Sequence, residues 1–205
     1  MARLYYVHDP MCSWCWGFAP VLKKLLLELP HDIEMQRVLG GLAVDTDEPM
    51  PKGMQTMLQE TWRQIETKIP GTKFNFEFWT QCRPRRSTYP ACRAVIAARE
   101  QGEEFDEAMT TAIQKAYYQQ TRNPSDTDTL MALAGELGLD ENRFKKDLLS
   151  EQTQRQLEKE IELSRELHAE SFPSFVFQVG TSIWSVPVNY NDPMPMLESI
   201  NRLIE

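Results

Sequence analysis

The chain lacks any surplus of positive charge. Its 22 lysines and arginines face 30 aspartates and glutamates, a formal net charge of −8 at pH 7. Nucleic-acid backbones are gripped by basic stripes, so a nucleic-acid partner is not expected, nor is an anionic membrane surface. No uncharged apolar run approaches the length of a membrane-spanning helix. The opening MARLYYVHDP has one arginine but no long apolar stretch and no small-residue cleavage site, so it does not read as a secretion signal. The expected compartment is therefore the cytoplasm. Cysteine is scarce: Cys12, Cys15, Cys82 and Cys92 are too few for a disulfide framework. A chain of 205 residues also buries enough apolar surface not to need one. Internal repeats and low-complexity tracts are missing as well.

What is present is punctuated by glycine and proline. Residues 3–8, RLYYVH, read as a short strand that Asp9-Pro10 ends. Val21, Leu22, Leu25, Leu26 and Leu29 then recur at helical spacing, which predicts a helix from about Cys12 to Leu29, kinked at Pro20. Residues 33–39 read as a second strand that stops at Gly40-Gly41. This is a β-α-β opening whose helix begins at two cysteines.

The middle predicts five or six helices. One covers about 53–69, one opens at Pro90, and one covers about 104–118. Another is capped by Ser125 with Asp128 three residues on, and the last restarts at Asp140 and continues to about Ala169. Phe74 to Trp79 alternates weakly and reads as an edge strand or an extended connector. SFPSFVFQVG at 171–180 is a strand entered through Phe172-Pro173, residues 181–188 its antiparallel partner, and 193–204 a final helix. Neither end forms a comfortable sheet alone, so the fold class is α/β, one small sheet interrupted by an all-helical insertion.

DPMCSWCWGF at 9–18 places Cys12 and Cys15 where the strand hands over to the helix. Such a pair has three readings. Two idle structural cysteines fit poorly, because the pair lies beside a break and outside the apolar stripe. Half of a zinc site fits poorly too: a closed site takes four ligands, and the other thiols, Cys82 and Cys92, are not spaced as a knuckle. No metal is expected. The third reading is a redox dithiol. With Cys12 at the first helical position, unpaired backbone N–H groups and the positive end of the helix dipole favour its thiolate. Cys15, almost one turn later and more covered, then attacks the mixed disulfide that Cys12 forms. Trp14 and Trp16 read either as an apolar rim for a polypeptide or as core packing, the latter stronger for Trp16.

Cys12-Ser13-Trp14-Cys15 between a first strand and a kinked helix resembles the thioredoxin superfamily. Asp9-Pro10, the continuation Trp16-Gly17-Phe18 and the helical insertion resemble its DsbA-like branch, and within it the cytoplasmic protein-disulfide isomerases related to FrnE-type proteins. The resemblance covers nearly the whole chain in element order and is specific at residues 5–18 and 171–180. It implies a discontinuous thioredoxin-like domain, residues 1–42 and 171–205, and a helical insertion, residues 43–170, whose last helix packs back on the sheet. It also implies that Pro173 is a cis proline facing the dithiol and that the segment around Phe172 docks an extended peptide or small thiol. Phe172 is bulkier than the residue many relatives carry there, which narrows the pocket or favours an apolar substrate.

Other residues carry open readings. His8 either helps position or protonate the leaving thiol or simply packs on its strand, and Asp9 accepts hydrogen bonds in the turn. QCRPRRSTYPACR at 81–93 holds four arginines and no acid; it reads as a solvated face balancing nearby acids before it reads as an anionic docking patch. Cys82 and Cys92 read as two independent thiols rather than a second disulfide.

The expected function is thiol–disulfide exchange or protein-disulfide isomerisation through Cys12 and Cys15. Phe172, Pro173 and Trp14 present the substrate, a polypeptide or a small thiol or disulfide. No cofactor is required; glutathione or a partner dithiol protein supplies or removes electrons. Two alternatives stay open: a glutathione-dependent isomerase or transferase of the kappa-like branch, and a non-enzymatic chaperone or binding module.

Overall fold

A computed structural model describes residues 2–204. The order begins β1 (Ala2–His8), α1 (Ser13–Glu28) and β2 (Ile33–Leu39). Seven helices follow: α2 (Lys52–Lys68), α3 (Phe78–Gln81), α4 (Tyr89–Arg99), α5 (Glu104–Tyr118), α6 (Thr127–Glu136), α7 (Glu141–Leu148) and α8 (Glu151–Glu166). The chain then returns through β3 (Ser174–Val179), β4 (Ser182–Val186) and α9 (Met194–Ile204). The fold is α/β, with an all-helical insertion between β2 and β3. Among the described residues no helix is long and apolar enough to cross a membrane.

The four strands form one sheet in the order β2-β1-β3-β4. β1 runs parallel to β2 and antiparallel to β3, and β4 is antiparallel to β3. Alternate side chains of a strand point to opposite faces, so β1 supplies two layers at once. Leu4 and Tyr6 pack with Phe18, Leu22 and Leu25 of α1 and with Met196 and Ile200 of α9. Tyr5 and Val7 pack on the other face with Val38, Val176 and Leu167, beside Leu163 of α8.

The helical lobe has its own core around Trp62. The rings of Phe74 and Trp79 each lie 4.9 Å from it, and Phe78, Tyr117 and Tyr118 complete the shell. Buried charges join the lobe to the sheet. Arg99 of α4 bonds Glu160 of α8 and meets Asp106 of α5 at 3.2 Å, while Glu160 accepts the Leu39 N–H of β2 at 2.8 Å.

Of the two readings of residues 74–79 the structure has the connector, which ends in the short helix α3, and not the edge strand, because their aromatics wrap Trp62 and the Asn75 N–H is taken by the Tyr118 carbonyl at 2.7 Å. The structure differs from the sequence expectations at four places. Seven helices lie between β2 and β3, not five or six. The stretch from Asp140 to Ala169 is two helices, since Ser150 caps a new one by accepting the Thr153 N–H at 3.1 Å. The cap of α6 is Asp126 rather than Ser125, whose hydroxyl is buried and donates to the Ser87 carbonyl at 2.7 Å. Cys12 is the cap of α1 rather than its first helical residue.

Candidate active site at the head of the first helix

The loop into α1 is set by one carboxylate. Pro10 cannot extend the strand ladder, and Asp9 folds over the turn, its Oδ1 accepting the Met11 N–H at 2.7 Å. Its Oδ2 accepts the Leu42 N–H and the Thr88 hydroxyl, both at 2.7 Å, and faces the Cys92 thiol at 3.6 Å. Asp9 therefore fastens the cysteine loop to the exit of β2 and the start of α4. Burial raises its pKa, and these four donors oppose that rise. A second tie comes from the lobe: the Tyr118 hydroxyl donates to the Met11 carbonyl at 2.7 Å.

Cys12 caps α1. Its N–H donates to the Asp9 carbonyl at 3.0 Å and its carbonyl accepts the Trp16 N–H at 3.1 Å. The residue is 6% exposed, and its thiol donates to the Phe172 carbonyl at 3.3 Å. The Phe172-Pro173 peptide is cis, and Pro173 is buried. Sequence positions 160 apart thus meet at one sulfur. Cys15, in the first turn of α1, is 0% exposed. Burial first, then the adjacent Cys12, pushes the Cys15 thiol well above its ordinary range, with the Asp9 N–H opposing. All four cysteines are free thiols.

The Phe172 ring does not narrow the space over Cys12. It lies on Gly40 at the end of β2, where any side chain would run into it, and packs into the layer under α8. Phe172 meets Cys12 through its carbonyl. Trp14 is half-buried, its ring 5.1 Å from that of Tyr190 and 5.6 Å from the Lys68 ammonium. Trp16 stacks on Tyr118 at 5.8 Å and donates to the Lys73 carbonyl at 3.2 Å. His8 reaches neither thiol. It is 0% exposed, stacks on Tyr6 at 4.8 Å, and neither ring nitrogen has a hydrogen-bond partner among the described residues. Burial, then the charges of Arg37 and Arg99, hold its pKa well below the ordinary value.

The 81–93 arginines are partly spent on acids. Arg85 pairs with Asp126 at 2.6 Å, and Arg93 grips Asp45 with both terminal nitrogens at 2.7 and 2.8 Å. Cys82 donates to the Thr121 carbonyl at 3.0 Å, far in partnership from Cys92 and Asp9.

Sequence reasoning passed over Thr88 and three tyrosines at the pair. Burial raises the hydroxyl pKa of Tyr6, Tyr118 and Tyr190, and the two cysteines add to each rise. Tyr6 carried a signal, since the period of β1 puts it on the face that α1 covers. Tyr118, Tyr190 and Thr88 reach the site only through long-range packing.

Comparison with known proteins places this site in a family setting. Residues 5–183 match the family described as Thioredoxin. The ClpXP adapter protein SpxH of Halalkalibacterium halodurans is 29% identical over 179 residues, covering 85% of this chain. The match spans 58% of that relative's length. Among solved structures, a "putative protein disulfide isomerase" from Nitrosomonas europaea superimposes with a TM-score of 0.85 at 26% identity, covering 99% of this chain and 97% of the other. The cytosolic disulfide reductase DsbM of Pseudomonas aeruginosa gives 0.78 at 21% identity and 98% coverage of both chains, and has also been solved with GSH.

Proposed function

This chain belongs to the Thioredoxin family, and we propose that it is a thiol–disulfide oxidoreductase in which Cys12 exchanges with substrate and Cys15 completes the exchange. One observation carries the reading: the Cys12 thiol sits at a helix start, 3.3 Å from the carbonyl before the cis proline, with a sealed second thiol one turn on.

The Cys12 sulfur attacks one sulfur of a substrate disulfide, whose other sulfur leaves as a thiolate. Cys15 then attacks Cys12, the ring closes, and the second substrate thiol departs. A helix start offers free N–H groups and a positive dipole end to the sulfur that must carry charge. The Phe172 carbonyl is a main-chain acceptor beside that sulfur and suits an extended peptide or a small thiol. Trp14, Tyr190 and Lys68 supply an apolar rim with one positive charge. Glutathione or a partner dithiol protein is the proposed electron source, and the cytoplasm the proposed compartment. Isomerase, reductase and oxidase directions differ by potential, and about 30 mV changes the two-electron equilibrium tenfold.

Trapping tests the assignment. Reduced Cys15→Ala, mixed with a disulfide substrate, is expected to accumulate a mixed disulfide on Cys12. Cys12→Ala is expected to form none and to lose turnover. Turnover retained by Cys12→Ala would overturn the reading.

A second reading has its own support. The curated relatives are named as adapter proteins, and this chain spans about 58% of the length of the first of them. An adapter would keep capturing its protein partner after both Cys12 and Cys15 are replaced by serine; an oxidoreductase loses its turnover.

A further inference from the structure

β2 is an outer strand of the sheet. Just past its end the Gly40 N–H turns inward to the His8 carbonyl at 2.8 Å, while the Leu39 N–H turns outward to Glu160 at 2.8 Å. Successive residues of a strand turn their main-chain groups to opposite edges, so the N–H and carbonyl groups of Met35 and Arg37 face outward as well. Residues 34–37 open onto a cleft of about 840 Å³ walled by the head of α5 and by α8. A strand edge left open is a template for another chain, and here it is recessed between two helices. The charges favour one kind of chain. Six carboxylates and three bases line the cleft. Arg37 and Arg99 are engaged by Asp106, Glu107 and Glu160. Lys159 is then the one base left on the walls against Glu103 and Glu104, both exposed at the head of α5. At the floor, the Asp106 side chain is only 7% exposed and its Oδ1 has no hydrogen-bond partner among the described residues. The cleft therefore keeps negative charge that its own arginines do not fully meet.

We propose that this cleft docks an extended, basic segment of a partner polypeptide, which adds a strand to the edge of β2. The main chain of the segment pairs with the outward N–H and carbonyl groups of Met35 and Arg37. Its lysines or arginines meet Glu103, Glu104 and Glu107, whose side chain is 63% exposed. In such strand addition the main-chain bonds give affinity and the alternate side chains give specificity. An acidic segment meets like charge on the same walls and is turned away. Cys12, Cys15 and Pro173 are not on these walls, so the docking goes beyond the exchange reaction and does not depend on its sulfurs.

The probe is a fluorescein-labelled hexapeptide of alternating lysine and valine, titrated with the whole chain and read by fluorescence anisotropy. Wild type is expected to bind it, less tightly as salt rises, and to slow hydrogen exchange at residues 35–37. A glutamate-valine peptide of the same pattern should bind about tenfold less well. Methylating the backbone nitrogens of the basic peptide keeps its charge, removes its donors and should abolish binding. Glu103→Lys together with Glu104→Lys is expected to weaken the basic peptide about tenfold. Met35→Pro removes one outward N–H at an edge, where proline is tolerated, and should weaken it alike; if that variant does not fold, the glutamate pair carries the test. Cys12→Ser with Cys15→Ser should bind as wild type does. No binding by wild type, equal binding of the acidic or methylated peptide, or unchanged binding in the glutamate variant would overturn the proposal. Loss of binding in the double serine variant would put the peptide at the dithiol and overturn it too.

Discussion

At the scale of single residues, Asp9 and His8 show how burial divides two neighbours into different roles. Asp9 is sealed but accepts two backbone N–H groups and a hydroxyl, so its removal leaves buried donors empty. Asp9→Leu is expected to lower the urea unfolding free energy by about 3 kcal/mol, a few donors' worth of unmet hydrogen bonding. It should also loosen the loop that holds Cys12. His8 is sealed, and neither ring nitrogen has a hydrogen-bond partner among the described residues. Its pKa in the fold lies below the unfolded value, so it contributes stability above about pH 6.5 that is lost as pH falls through the folded value. His8→Phe keeps the stack on Tyr6 and removes the proton site. Urea midpoints at pH 5 and pH 7.5 should therefore differ less in His8→Phe than in wild type; an equal difference in the two proteins would contradict the assignment. Both roles were only half legible in the sequence. Asp-Pro announced a turn, but Thr88 and Leu42 are brought to Asp9 by tertiary packing that no local pattern encodes. The Phe172 ring is a similar case: its size was visible, but its direction depends on the bare Cα of Gly40.

At the scale of elements, glycine, proline and apolar period marked most boundaries, because backbone geometry decides them locally. β1, α1, β2 and the β3–β4 hairpin all follow from that punctuation. The sequence was ambiguous where one pattern fits two geometries. Phe74, Phe76 and Phe78 alternate like a strand, yet they serve as packing around Trp62, which an irregular backbone does equally well. Apolar spacing likewise continues across Ser150, and only its bond to the Thr153 N–H reveals a fresh start. Two substitutions grade these elements. Trp62→Ala empties the centre of the lobe and should cost about 3–5 kcal/mol by urea denaturation. Ser150→Ala loses one cap and should cost about 1 kcal/mol. A Trp62→Ala effect no larger than that of Ser150→Ala would mean that the lobe core does not hold the fold.

At the scale of the whole molecule, the helical lobe is more than a lid on a small sheet. It supplies Tyr118 to the Met11 carbonyl, and Thr88 and Cys92 to Asp9. The dithiol is thus built where lobe and sheet meet, and the cis proline closes it from the far end of the chain. The account's central claim is that Cys12 and Cys15 form one redox couple. Equilibration in glutathione buffers of graded potential, followed by acid quench, alkylation and peptide mass spectrometry, tests it directly. The account predicts that Cys12 and Cys15 lose alkylation together along a single two-electron curve while Cys82 and Cys92 stay alkylated throughout. Glutathione accumulating on Cys12 with Cys15 still free, and no internal disulfide at any potential, would contradict it.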